Sequence, residues 1–271
     1  MSNTAINNDS KEEVGVDKTS VSAPLGNRKE RIAALNATLA RADETTAFRL
    51  TPIQKRWVQL WIQACLGADA SAAAKNRVQV VAPPLTGKTR TMEIFLAAYM
   101  WTQGDSEVMM FTVGRRSCRQ MLQRVQVLCL PALMPSGEDC TVVCCNSEVL
   151  TIRTASGGTS TLRAFPCGGR ALRGLPTQCD LLVLDDPQLF SDEVVVRNIR
   201  PRLKDPALPA LSVHRPPSPH ANASWGPVCA EAGFDVRTYR FRDFLGKRVL
   251  AEQQDNDDDD DDDGTVDAKR V

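Results

Sequence analysis

The residues best placed to do chemistry stand in two short runs far apart in the chain. The first, Ala82-Pro-Pro-Leu-Thr-Gly-Lys-Thr89, fits the P-loop pattern of a small residue, four variable positions, Gly-Lys and then a hydroxyl. It follows an apolar β-branched run and precedes a helical pattern, which is the context the motif requires. A nucleotide's phosphates need several backbone N–H donors converging on them. A tight loop at a helix N-terminus supplies these, together with the positive end of the helix dipole. Gly87 lets the backbone come close, Lys88 reaches the β and γ phosphates as a point charge, and Thr89 offers its hydroxyl to Mg²⁺. Pro83 and Pro84 have no N–H, so the cradle rests on Leu85, Thr86, Gly87, Lys88 and Thr89.

The second run, Leu181-Leu-Val-Leu-Asp185-Asp186, is an apolar strand pattern ending in two carboxylates. Asp185 suits a Mg²⁺ held through water, and the position after it is where a carboxylate orients the attacking water. Asp186 is one methylene shorter than a glutamate. It reads either as that catalytic carboxylate or as a solvent-exposed strand-end cap, with Glu193 a remote substitute. Gln54, in Leu50-Thr-Pro-Ile-Gln54, has an amide able to pair with the adenine edge; the same stretch reads as a helix start with Thr51 as cap and Pro52 behind it. The two readings of Gln54 are compatible. Arg115, Arg116, Arg119, Arg170 and Arg173 suit a nucleotide's γ-phosphate, DNA phosphates or plain solvated surface, and the sequence does not divide them. His214 and His220, in a proline-rich stretch without ligand partners at metal spacing, read as exposed loop residues.

These groups need a frame, and the apolar periodicity provides one. Helical spacing covers Asn27 to Asp43, Trp57 to Cys65, Thr89 to Trp101 and Ser117 to Leu130. Strand patterns cover Val78 to Ala82, Val108 to Val113, Thr141 to Cys145, Val149 to Thr154, Thr161 to Phe165 and Leu181 to Leu184. Gly157 and Gly158 suit a hairpin turn. The alternation predicts an α/β fold of the P-loop NTPase kind, additional-strand and RecA-like, with a mainly parallel sheet between helices. Its expected extent is residues 27–199. Residues 1–26, polar and aperiodic, and 251–271, with consecutive aspartates from Asp257 to Asp263, are expected to be disordered tails. Residues 200–250 are expected to be irregular because prolines from Pro201 to Pro227 punctuate them.

The formal charge of zero conceals an asymmetry. Residues 251–271 carry ten acidic and two basic side chains, a net of −8, which leaves residues 1–250 at +8. No stretch approaches the roughly 20 apolar residues of a membrane span, and the N-terminus has no signal-like apolar region. The reading is a soluble intracellular protein with no membrane partner. Its cysteines are then reduced thiols, and Cys140, Cys144 and Cys145 read as strand packing rather than as metal ligands.

Taken together, Leu50 to Gln54, Ala82 to Thr89, Met109-Met-Phe-Thr-Val-Gly-Arg-Arg116 and Gly168-Gly-Arg-Ala-Leu-Arg-Gly174 leading into Asp180 to Pro187 resemble the ATPase domain of the viral large terminases. These are the DNA-packaging motors of tailed phages and herpesviruses, and the resemblance spans about residues 46–195. It implies an ATP-driven, Mg²⁺-dependent motor that moves double-stranded DNA through a portal into a capsid, as a homo-oligomeric ring with a small terminase subunit. It implies a location in the host nucleus for a herpesvirus-like origin and in the host cytoplasm for a phage. The family's P-loop lysine and threonine map to Lys88 and Thr89, its metal aspartate to Asp185, its catalytic carboxylate to Asp186 and its adenine-side glutamine to Gln54. The P-loop carries no arginine ahead of Gly-Lys-Thr, so an arginine finger must come from elsewhere or from a neighbour. The family's nuclease domain does not fit in the residues after Asp192, so either a truncated or split product, such as one exon, or a packaging ATPase whose nuclease is another chain is expected. The coupling Ser/Thr motif has only Leu208-Pro-Ala-Leu-Ser-Val213 as a candidate. Alternatives are a helicase-like DNA-dependent ATPase and a non-catalytic terminase remnant that binds DNA or the packaging complex.

Overall fold

The computed structural model describes residues 27–44, 49–67, 76–133, 141–153, 158–167, 172, 175–217 and 221–244. Two helices lead in: α1, Arg28–Glu44, and α2, Pro52–Leu66. The start of α2 follows from its sequence. Thr51 accepts a hydrogen bond from the Gln54 N–H, the Gln54 side chain accepts from the Thr51 N–H, and Pro52 has no N–H to leave unsatisfied. Trp57, Val58, Trp61, Ile62 and Leu66 form the buried face of α2.

Strand β1, Arg77–Val81, runs into the P-loop and then into α3, Lys88–Gln103. Helix α3 is buried on nearly every side from Thr91 to Gln103, as expected of a helix enclosed by other helices and a sheet. Next come β2, Ser106–Thr112, and α4, Arg115–Arg124, which a π-helical stretch, Val125–Cys129, continues into the short α5, Leu130–Leu133. Strands β3, Thr141–Cys145, β4, Val149–Arg153, and β5, Thr159–Pro166, pair antiparallel in sequence order. The antiparallel pairing of β4 with β5 agrees with the expected hairpin, whose turn residues 154–157 lie outside the described residues. Strand β6, Leu181–Asp185, leads through Asp186 to α6, Asp192–Val194, and a second π-helical stretch, Val195–Ile199.

Past residue 199 the structure corrects the sequence reading. Ala210–His214 is a strand, β7, and α7, Trp225–Glu231, and β8, Asp235–Thr238, follow it. The described residues between 200 and 244 are thus not irregular throughout: β7 is buried along its whole length and sits in the middle of the sheet. The prolines lie outside it, at Pro209 before and Pro216 after, so they bound the strand without breaking its ladder.

Among the described residues the strands form one eight-stranded sheet in the order β3-β4-β5-β2-β6-β7-β1-β8. From β5 to β8 every neighbouring pair is parallel. Alternate residues supply the two faces. Val78, Val80, Val108, Met110, Leu181, Val183, Leu211 and Val213 pack with α1 to α4, whereas Met109, Phe111, Leu182, Leu184 and Ala210 pack with the layer of α6 and α7. This is the expected α/β P-loop fold with helices on both faces of a mainly parallel sheet.

The described cysteines are all free thiols, and burial pushes Cys118 and Cys129 up to about 12. Cys144 and Cys145 do not pack as expected; they are exposed on the edge strand β3, and Cys140 lies outside the described residues. Among the described residues no helix is long and apolar enough to cross a membrane.

Candidate functional site

Parallel strands present their C-terminal ends along one edge of the sheet, which is where open α/β sheets bind ligands. Here β1 ends in the P-loop, β6 in the Asp185-Asp186 pair, and β7 lies between them. The loop's shape follows from its residues. Leu85 and Gly87 both take left-handed backbone, φ 64° and 79°. Backbone turns of this kind gather successive N–H groups into an anion-binding concavity. Gly87 has a second reason to lack a side chain, since a Cβ there would stand 2.6 Å from the Gln54 amide nitrogen. The Gln54 Nε2 donates to the Thr86 carbonyl at 3.0 Å, and the Thr86 hydroxyl donates to Pro83 O at 2.8 Å. Gln54 therefore serves as cap for α2 and as a prop for the P-loop, and one Nε2 hydrogen remains for another acceptor.

Lys88 bends back over the loop. Its ammonium donates to the carbonyls of Ala82 at 2.8 Å and Pro83 at 2.7 Å. Burial pushes its pKa below the ordinary lysine value, while the nearby Asp186 and Asp185 oppose that shift and Arg215 adds to it. The Thr89 hydroxyl lies 3.2 Å from Asp185 Oδ1, a contact that joins the first turn of α3 to the end of β6 across the width of β7. Burial, and then the neighbouring Asp186, push the Asp185 carboxyl up to about 7, against the Thr89 hydrogen bond. A buried carboxylate so disfavoured is a group that a cation would stabilise.

This donor set fits Mg²⁺. One carboxylate and one hydroxyl of oxygen character suit an ion that keeps waters and takes phosphate oxygens, whereas among the described residues no cluster of three His, Cys, Asp or Glu forms a closed cage.

Asp186 takes left-handed backbone, φ 57°, which aspartate tolerates better than most residues. Its N–H donates to Val213 O at 2.8 Å. Its carboxylate accepts from the Arg215 N–H at 3.2 Å and from Arg215 Nη2 at 3.3 Å. The reading of Asp186 as a purely solvent-exposed cap is thus too simple, because the side chain is paired. Glu193 does not join the site; it sits on α6 in an ion pair with Arg197.

His214 also departs from expectation. It is 4% exposed, and its Nδ1 lies 2.6 Å from the Arg215 carbonyl. A carbonyl only accepts, so Nδ1 carries the proton. Burial lowers the His214 pKa, which favours the neutral ring. His220 lies outside the described residues. Ser212, in the candidate coupling stretch, is fully buried on β7, and its hydroxyl has no partner among the described residues. Arg115, Arg116 and Arg119 are exposed on the first turns of α4, after β2 and at the same edge of the sheet. Arg170 and Arg173 lie outside the described residues. Arg215 was missed in the sequence. The signal that could have found it was the short apolar run Ala210 to Val213 between two proline clusters, which marks a buried strand and makes the residue after it a neighbour of Asp186.

No family model matches this sequence, and no curated protein sequence is significantly similar to it. Solved structures are. The large terminase of a thermophilic bacteriophage in complex with ADP aligns over 76% of this chain and 50% of that one, at 17% identity and a TM-score of 0.52. The bacteriophage HK97 large terminase aligns over 83% of this chain and 51% of that one, at 12% identity and a TM-score of 0.52. The chain therefore spans about half the length of these terminases. The likeness of the motifs and the likeness of the backbone agree: the fold is that of the large terminases' P-loop ATPase domain.

Proposed function

We propose that this chain is an ATPase of the viral large-terminase kind that binds ATP with Mg²⁺ and acts on double-stranded DNA. The observation that carries this reading is the contact between Thr89 and Asp185, which sets a hydroxyl and a buried carboxylate beside the Lys88 ammonium at one end of the sheet. The N–H groups of Leu85, Thr86 and Gly87, with Lys88, hold the phosphates. Thr89 and Asp185 would hold Mg²⁺, which would supply positive charge against the phosphates. Asp186 orients the attacking water and accepts its proton. Gln54 props the loop through Thr86, and its remaining amide hydrogen is available to the adenine. In its full extent the reading is a motor of packaging: a homo-oligomeric ring that works with a portal and a small terminase subunit to drive viral DNA into a capsid.

Isothermal titration of ATPγS with Mg²⁺ into the wild type and Lys88→Ala tests the assignment. Removing a part-desolvated charge that a phosphate pairs is expected to cost about 2–4 kcal/mol of affinity. Equal affinities would overturn it. The Asp186–Arg215 pair favours one second reading, a protein that binds nucleotide without turning it over; phosphate release with duplex DNA present separates the two.

A further inference from the structure

We propose that Arg215 senses the triphosphate: its guanidinium clasps Asp186 and is handed over to the terminal phosphate of a bound nucleoside triphosphate. This rests on the ATPase reading and adds to it a residue that no sequence motif marks. Val213 and His214, which end β7, and Arg215, which follows it, meet the site's two halves. The His214 carbonyl accepts from the Ala82 N–H at 3.0 Å, at the start of the P-loop, and the Val213 carbonyl accepts from the Asp186 N–H at 2.8 Å. Arg215 then meets the Asp186 carboxylate twice, through its N–H at 3.2 Å and through Nη2 at 3.3 Å. The end of this one strand thus touches both the phosphate loop and the acidic turn.

The backbone of Arg215 is held, and its side chain, paired with Asp186, reaches solvent. His214, buried, donates from Nδ1 to the Arg215 carbonyl, and Pro216 confines the residue before it to extended backbone. The Arg215 side chain is 47% exposed, so its tip can swing without opening the core. Its partners are electrostatically matched: Lys88 feels Asp186, Asp185 and Arg215 together, which places two cations and two carboxylates in one small volume. A γ-phosphate held on Lys88 adds negative charge to that balanced group. A guanidinium fork fits phosphate as well as carboxylate, so the two acceptors compete for it. With Arg215 on the phosphate, Asp186 is released to orient water; with a diphosphate bound, Arg215 stays on Asp186.

The test compares the affinities of the full chain for ADP and for ATPγS, both with Mg²⁺. Arg215→Ala is expected to weaken ATPγS at least tenfold and to change ADP less than twofold. Arg215→Lys, which keeps the charge and loses the fork, is expected to fall between, and matched thermal melting shows that all variants fold. The decisive comparison repeats Arg215→Ala in the Asp186→Asn background. If Arg215 reaches the phosphate, its removal still weakens ATPγS at least tenfold there. A loss that disappears in that background would mean that Arg215 only screens Asp186, and equal weakening of both nucleotides would mean that it only supports the loop; either overturns the handover and leaves the ATPase reading standing. A wild type that binds neither nucleotide overturns both.

Discussion

At the tip of the loop between β1 and α3, Leu85 combines left-handed backbone with a side chain wholly in solvent. Left-handed backbone costs an L-residue roughly 1–2 kcal/mol, and an exposed side chain recovers none of it by packing. The arrangement has a physical account on the functional side: Pro83 and Pro84 donate nothing, so Leu85 offers the first backbone donor of the loop. Leu85→Gly should remove the strain and give back part of the gain through the greater freedom of glycine in the unfolded chain. The expected result is a melting temperature higher by about 1–3 °C with ATPγS affinity within twofold of wild type. Leu85→Val, β-branched and less tolerant of this backbone, should melt lower than wild type. If Leu85→Gly melts below wild type, the loop is not strained at this position. Gly87→Ala should lose nucleotide affinity, since its Cβ would meet both the left-handed backbone and the Gln54 amide; titration with ADP checks this, and unchanged affinity would show that the loop can reshape.

The elements that position these residues were legible in the sequence to different degrees, for physical reasons. The P-loop and Asp185 could be read because each is a local pattern, a strand running directly into its functional turn. The contact between Thr89 and Asp185 is the one that a shared ion would require. Strand β7 is obscured in the sequence because prolines crowd both its flanks, while the five residues Ala210–His214 contain none. A fully buried central strand has no alternation to reveal it. The misplacement of His214 and the omission of Arg215 both followed from that one missed element. Helix α4 was legible as a helix, but its attachment to α3 was not. That attachment includes an ion pair at 3.3 Å between Arg124 and Glu93, whose side chain is 3% exposed. Burial raises the Glu93 pKa and Arg124 opposes the shift. A raised folded-state value means that stability falls as pH rises from the ordinary glutamate range through that value. Removing Arg124 raises the folded value further, so the loss deepens with pH. Arg124→Ala is expected to cost roughly 1–3 kcal/mol at pH 8, less than a fully buried pair because Arg124 is half exposed. Near pH 3, below the ordinary glutamate range and therefore below the raised folded value, the two should converge. Urea unfolding at the two pH values measures this; a loss independent of pH would assign Arg124 a packing role instead.

For the whole molecule, the charge asymmetry bears on the proposed binding of DNA. Residues 1–250 carry a formal +8 and residues 251–271 a formal −8. Arg115, Arg116 and Arg119 are exposed at the edge of the sheet that holds the P-loop, where a phosphate backbone could reach them. A tethered polyanion competes with DNA for such a surface at a high effective concentration, without contacting any base. Deleting residues 251–271 is therefore expected to strengthen binding to a duplex of arbitrary sequence by about tenfold at roughly 50 mM salt. The gain should shrink as salt shortens the Debye length, to about 8 Å at physiological ionic strength. Anisotropy of a labelled duplex, titrated across a salt series for the full and shortened chains, gives both numbers. Charge reversal of Arg115 and Arg116 to glutamate should abolish the gain and flatten the salt dependence if α4 provides the surface. Should the shortened chain bind no better at low salt, the acidic segment does not compete with DNA; should it bind better but equally so with those arginines reversed, the duplex lies on another face.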